Sequence, residues 1–457
     1  MKKLIKLFAV IVLILPLTLG CNSSGEEQQK EANVDFQAPE WTKNATLYEL
    51  NIRQYSEEGT LNKVTEDLGR IKELGIDIIW LMPIHPIGEK NRKGTLGSYY
   101  SIKNYKKVNP EYGTVEDLKS LVKKAHGMGM YVMLDWVANH TAWDNPMTEE
   151  HPEWYEQNED GNFVSPYNWT DVIQLDYSNK GLWDYMTGAM KYWVQEADID
   201  GFRCDYPGQI PAEFWKSARI ELEKVKRVFM LAEDEGNVAI LEQAFDMNYS
   251  WGFFHAMNEV AKGEKTVLEM DSVLQSNFGK YPEEDYRIRF ITNHDENSWN
   301  GTIEERLGAG NKAFAVLTFT VPGMPLLYSG QEVGMNKRLE FFEKDLIEWK
   351  ESPLTGFYSD LINLRKEHQS LWSGKYGGDY TRLENSNPDK VYSFLRKKGD
   401  DEILVVVNLS NVDRKVSVNW EGEESRFKEY FNGESVNLIN NTNFNLTPWE
   451  YRIYIKD

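Results

Sequence analysis

The sequence predicts an α/β protein built on a closed (β/α)8 barrel, with a lobe inserted after the third strand and a small C-terminal antiparallel β-sandwich domain. Three observations carry this. Eight short β-branched or apolar runs lie between Trp41 and Trp372. The stretches between them, best seen in the first two, place apolar residues at i, i+3, i+4 and i+7, and strand alternating with helix implies parallel pairing. After about Trp372 the long helical patterns stop and alternating strands take over. Closing eight parallel strands into a ring removes exposed edges, and no Gly-rich nucleotide-binding turn follows any run, which favours the ring over an open doubly wound sheet.

In chain order the runs are TLYELNI (46–52), DIIWLMP (77–83), MYVMLDWV (130–137), DIDGFRC (198–204), VFMLAE (228–233), AFDMNY (244–249), RIRFITN (287–293) and MPLLYS (324–329). VTEDLGRIKELG (64–75) and VEDLKSLVKKAHGMG (115–129) are amphipathic and end on glycine, the usual helix stop. Residues 141–176 are rich in Trp, Tyr, Pro and Asn and lack a helical period, so they form the inserted lobe. EILVVVNLS, KVSVNW and WEYRIYI belong to the C-terminal domain. The predicted boundaries are 41–375 for the barrel and 376–457 for the β domain.

The N-terminus is read separately. Lys2, Lys3 and Lys6 precede an apolar run from Leu7 to Leu19, too short to span a bilayer comfortably and ordered like an export signal. The run ends in Leu19-Gly20-Cys21, which resembles a lipoprotein cleavage site with Cys21 acylated, although Thr18 sits where that pattern prefers Leu; a plain signal peptide is the alternative. Residues 1–21 are therefore a signal segment, and the polar, acidic stretch 22–40 is a flexible tether. The expected location is outside the cytoplasm, membrane-anchored through lipid on Cys21 or else secreted. Cys204 is the only other cysteine, so no disulfide framework exists. With 51 Lys+Arg against 72 Asp+Glu, the formal charge of −21 repels phosphate backbones and argues against a nucleic-acid partner.

Functional residues of such a barrel sit where strands end at the C-terminal mouth. The third strand ends in Asp135 and continues to Asn139 and His140; the fourth ends in Arg203 and Asp205, the fifth in Glu233, and the seventh in Asn293, His294 and Asp295. One acid at a strand end often caps the following helix. Three carboxylates converging on one mouth, with an Arg two before the first and a His directly before the last, point to catalysis instead. Of the acids in AEDEG, Glu233 directly follows the apolar strand, whereas Asp234 would point away.

DWVANH (135–140), GFRCD (201–205), FMLAE (229–233) and FITNHD (290–295), in this order, resemble the four signature regions of glycoside hydrolase family 13, the α-amylase family. The likeness extends to YNWTDVIQLDYSN (167–179) and VPGMPLLYSGQEVG (321–334). It implies a retaining hydrolase of α-1,4-linked glucans such as malto-oligosaccharides or starch, with Asp205 as nucleophile, Glu233 as acid/base and Asp295 as the third carboxylate. In retaining enzymes the first two lie about 5–5.5 Å apart. Arg203 beside Asp205 favours the ionised nucleophile. His140 and His294 are implied sugar contacts, and Tyr100 matches the tyrosine that stacks on the sugar, with Tyr99 as its competitor and Ser101 replacing the usual Asp after it. No cofactor is required. Many relatives hold a structural calcium, whose first ligand Asn139 matches, but Gln174 and Gln209 replace two others, so the usual site is incomplete and is absent or rebuilt. An α-glucosidase, a cyclomaltodextrinase or neopullulanase, or a transglycosylase would use the same residues. A non-catalytic glucan-binding lipoprotein is the distant alternative, which the intact acid set argues against.

Overall fold

The computed structural model describes residues 36–457. The predicted export signal, Cys21 and the predicted tether up to residue 35 lie outside the described residues. Eight strands close the barrel: β1 (Leu47–Leu50), β2 (Ile78–Leu81), β3 (Tyr131–Val137), β4 (Gly201–Asp205), β5 (Phe229–Ala232), β6 (Met247–Asn248), β7 (Tyr286–Arg289) and β8 (Met324–Tyr328). Each pairs in parallel with its neighbours in sequence, and β8 returns to β1. Every predicted run overlaps its strand, but each ladder is shorter than its run, and the fourth and seventh strands each reach one residue beyond it. The fourth begins only at Gly201, because Asp198 takes a left-handed conformation at a helix end. The sixth keeps two residues, and the seventh leaves the ladder at Arg289, so Phe290 to Asn293 lead into the site as loop.

The helix Leu61–Leu74 shows how local sequence builds the outer layer. Thr60 caps it by accepting from the Lys63 amide, Leu61, Val64, Leu68 and Ile71 form its buried stripe, and Gly75 ends it at φ 104°. A side chain at Gly75 would also meet Ile362, its Cβ falling 2.8 Å from the Cγ2. In Val115–Gly127, Thr114 and Asp117 form a reciprocal capping box.

Strand alternation then decides what the barrel mouth contains. Leu47, Ile78, Trp80, Met133, Leu231, Met247 and Ile288 fill the interior, while Tyr48, Ile79, Leu134, Phe202, Cys204 and Ala232 pack outward under the helices. Continuing the period of two, Glu49, Asp135, Arg203, Asp205 and Glu233 all fall on the inward side at the C-terminal ends. Asp234, out of phase, instead caps locally by accepting from the Asn237 amide. Gly201 permits the tight β4–β5 approach, since a Cβ there would lie 2.1 Å from the Phe229 carbonyl oxygen.

The opposite end is plugged by residues assigned from sequence to the tether. Residues 36–40, read from sequence as part of the tether, belong to the fold: Ala38 packs with Trp41 against the interior cluster, Arg227 donates to the Gln37 carbonyl at 2.6 Å, and Arg219 lies over the Phe36 ring. Trp41 stacks on Tyr131 with centroids 3.8 Å apart. Apolar side chains in an otherwise polar segment seal the barrel floor and fix the chain there.

After β3, His140–Ala142 pairs antiparallel with Val172–Gln174 to brace the lobe, which also holds the short helix Met147–Glu150. The C-terminal domain has a six-stranded sheet ordered β9 (Asp379–Arg382), β10 (Val391–Lys398), β11 (Asp401–Asn408), β16 (Tyr451–Lys456), β13 (Ser425–Glu429), β14 (Ser435–Leu438), and a pair, β12 (Arg414–Val418) with β15 (Thr442–Leu446). Val391, Leu404, Val416, Phe427 and Phe444 form their shared core.

Candidate active site

Arg203 is the organising group. Fully buried, it donates from Nη1 to Asp135 Oδ1 at 3.0 Å and to Asp205 Oδ1 at 3.1 Å, and its Nη2 lies 2.5 Å from Glu233 Oε1. The last contact is an ion pair with no aligned hydrogen bond on Nη2. Beyond the expected contact with Asp205, the guanidinium therefore binds three carboxylates. Asp135 pairs with Arg203 in strand register and also accepts from Trp80 Nε1 and Tyr100 Oη, both at 3.1 Å. Burial raises the Asp135 carboxyl to about 6 against the pull of Arg203.

Asp205 and Glu233 face a cavity of about 570 Å³ together with Tyr100, His140, His294 and Asp295. Their side chains keep 13 and 12% exposure, enough to touch a substrate yet largely shielded. Both are held by the two terminal nitrogens of one guanidinium head, so a single rigid planar group fixes both acids at the same mouth. Glu233 Oε2 accepts from the Tyr206 amide at 3.2 Å. Burial pushes its carboxyl well above the usual carboxylate range; the negative charges of Asp205 and Asp295 push the same way, and Arg203 opposes them. That direction favours retention of a proton, as a group acting as an acid requires. Glu235, from the same acidic run, is engaged elsewhere with Arg287 at 2.6 Å.

His294 and Asp295 lie on the loop after β7, just before a single π-helical turn, Glu296–Asn300. The His294 ring stacks on Tyr100 at 5.4 Å, its Nε2 lies 2.8 Å from Tyr100 Oη, and its Nδ1 makes a very short contact with Glu49 Oε1. Burial opposes a charge on the imidazole, but Asp295 and Glu49 prevail and raise it to about 9. His140 differs: burial lowers it, so it faces the cavity neutral. Of the adjacent tyrosines Tyr100 lines the cavity, while Tyr99 is turned inward, its hydroxyl accepting from Asn51 and Gln54.

Glu49 escaped the sequence reading. Its signal was an acid in phase with the interior residues of LYEL, a position that a strand-end search overlooks. The His294 shift from 6.5 to about 9 corresponds to about 3 kcal/mol of stability. Because the folded value is the higher one, this contribution is complete below pH 6.5 and is lost as pH rises through 9. Denaturant titrations across that window should reveal the fall, and Glu49→Gln should flatten it; a variant whose stability curve keeps the wild-type slope would contradict the pairing.

The residues at the usual calcium position do not fit that ion. Gln174 Nε2 donates to Asn139 Oδ1 at 3.0 Å and to the Asn139 carbonyl at 3.1 Å, so amide N–H groups occupy the side where a cation needs oxygen. Asn139, expected as a first ligand, is thereby committed to an amide pair joining barrel and lobe.

Comparison with known proteins decides the family. Residues 30–173 and 143–402 match the family described as alpha amylase, catalytic domain. The chain belongs to the α-amylase family. Residues 380–453 match the maltogenic amylase C-terminal domain. The noncanonic maltogenic alpha-amylase AmyB of Thermotoga neapolitana is 32% identical, with a TM-score of 0.84 over 91% of this chain and 99% of that one. An alpha-amylase from Lactobacillus plantarum is 30% identical, with a TM-score of 0.82 over the same shares. The alpha-amylase MalA of Haloarcula japonica is 26% identical over an alignment of 395 residues that covers 82% of this chain and 57% of that longer protein. This member of the α-amylase family is a glycoside hydrolase.

Proposed function

We propose that this enzyme hydrolyses α-1,4-glucosidic bonds of soluble malto-oligosaccharides by double displacement. The observation that carries the reading is the shared grip of Arg203 on a hydrogen-bonded Asp205 and on an enclosed Glu233 whose hold on its proton is strengthened by burial. Asp205 attacks the anomeric carbon while Glu233 gives its proton to the departing oxygen, breaking the C1–O bond and leaving a glycosyl ester on Asp205. Glu233, now a carboxylate, takes a proton from water as the water oxygen attacks C1 and releases Asp205. Asp295, His294 and neutral His140 bind hydroxyls of the same sugar, and the Tyr100 ring forms the apolar face beneath it. These contacts favour the oxocarbenium-like state when they tighten as positive charge develops.

Digestion of maltoheptaose, amylose, pullulan and cyclodextrin, with the anomer of the first product recorded by NMR, tests this. Release of α-anomers from maltoheptaose is expected. Initial β-anomers, or turnover of pullulan alone, would overturn the mechanism or the linkage respectively.

Catalysis and folding proceed without calcium, an inference supported by the Asn139–Gln174 amide pair. An ion present at 100 times its Kd would add about 2.7 kcal/mol. The Tm should therefore be the same in chelator and in excess calcium, and a rise with calcium would refute this. The Lys-rich start, the apolar run and Gly20-Cys21 support export and a lipid on Cys21. Cys21→Ser should move the protein from the membrane fraction to the soluble one; unchanged partitioning would remove the anchor.

A further inference from the structure

The Tyr206 amide donates to Glu233 Oε2 at 3.2 Å, which places the loop after β4 beside the group that protonates the leaving oxygen. Three aromatic rings gather there. Tyr206 follows the nucleophile directly, and Trp169 and Tyr167 come from the lobe; their centroids are 5.7 Å (Trp169–Tyr206), 5.7 Å (Tyr167–Tyr206) and 5.1 Å (Tyr167–Trp169) apart. Tyr206 and Trp169 line the cavity, and Trp169 also packs against His140 at 5.5 Å.

Core packing does not account for this cluster. Tyr167 is 64% exposed, and an exposed ring of that size gains little by burial. Both tyrosines hold left-handed backbones, with φ 52° at Tyr167 and 45° at Tyr206, a conformation that crowds any residue with a Cβ. Their hydroxyls meet in a very short hydrogen bond across the boundary between lobe and barrel. Two costly backbone conformations are thus used to bring two rings together beside the acid catalyst, whose Oε2 is bonded to the amide of one of them.

We infer that Tyr206, Trp169 and Tyr167 form the seat of the leaving glucosyl unit, held in register with Glu233 by the Tyr167–Tyr206 hydroxyl contact. The rings offer flat apolar faces to the C–H surface of a pyranose while its hydroxyls stay in water. The inference rests on the α-1,4-glucosidic reading above and adds the determinant of which leaving group is accepted. It makes the lobe a working half of the site and gives Tyr206 two tasks, amide to the acid and ring to the sugar.

The test compares maltotetraose, whose leaving group is a sugar, with α-maltosyl fluoride, whose leaving group is too small to touch the rings. Trp169→Ala and Tyr167→Ala should lower kcat/KM on maltotetraose about tenfold more than on the fluoride, a difference of about 1.4 kcal/mol. Most of it should lie in KM. Tyr167→Phe, which keeps the exposed ring and removes only the hydroxyl contact, should change the ratio in the same direction by a smaller factor. Equal losses on both substrates would reveal a merely structural role, and unaltered ratios would deny the seat; either overturns the inference. Wild-type enzyme inert toward both substrates would instead refute the α-1,4-glucosidic reading itself.

Discussion

Asp205→Asn is expected to lower kcat on malto-oligosaccharides by about 10⁴- to 10⁶-fold, the scale seen when a nucleophile is removed from an otherwise intact site. The amide keeps the shape of the carboxylate and can still accept from Arg203 Nη1, but it cannot form the glycosyl ester. The fold should survive because Arg203 retains its hydrogen-bonded pair with Asp135, so its buried charge is not left alone. Thermal unfolding and near-UV circular dichroism of the variant, read beside initial rates, check both halves. Turnover within tenfold of wild type would remove Asp205 from the chemistry, and an unfolded variant would show that the three-carboxylate grip is structural first.

Glu233→Gln should produce a substrate-dependent loss. On maltotetraose, where departure of a sugar needs a proton, kcat/KM should fall by about 10²- to 10⁴-fold. On α-maltosyl fluoride the first step needs no proton, so the loss there should be smaller, with the glycosyl ester on Asp205 accumulating because water is no longer activated. Added azide, which needs no base, should restore turnover of the fluoride. The pH profile gives an independent check. Since burial raises Glu233 well above an ordinary carboxyl, wild-type kcat/KM should persist toward neutrality and decline only as that proton is lost. The variant should lack this limb. A profile that keeps its alkaline decline, or equal losses on both substrates, would assign the acid role elsewhere.

Much of this site was legible because a barrel strand reads with a period of two and its functional residues fall at one end. The positions of Asp205, Glu233 and Arg203 and the outward turn of Asp234 follow from phase alone once MLAE and GFRCD are taken as strands. Glu49 obeys the same phase, but it stands next to the strand's last residue and is followed by Leu50 and more chain without a turn signal, so strand-end logic passed over it. Asp295 was identified through its neighbours in FITNHD, although the strand had already ended at Arg289. Tertiary contacts explain what remained hidden. Whether Tyr99 or Tyr100 faces the cavity depends on the hydroxyl partners Asn51 and Gln54, which come from the short helix after β1. The Tyr167–Tyr206 bond joins residues 39 apart with unusual backbone angles that no local pattern announces. Phe36 and Ala38 were hidden by the polar residues around them.

The aromatic and apolar stopper at the strand starts has a practical corollary. Since Trp41 rests on Tyr131 and Phe229, the first residues of β3 and β5, the polypeptide enters at the pole opposite the acids. Coupling to a bead, an electrode or a fusion partner at Glu40, exposed at that pole, would leave the opposite mouth unobstructed.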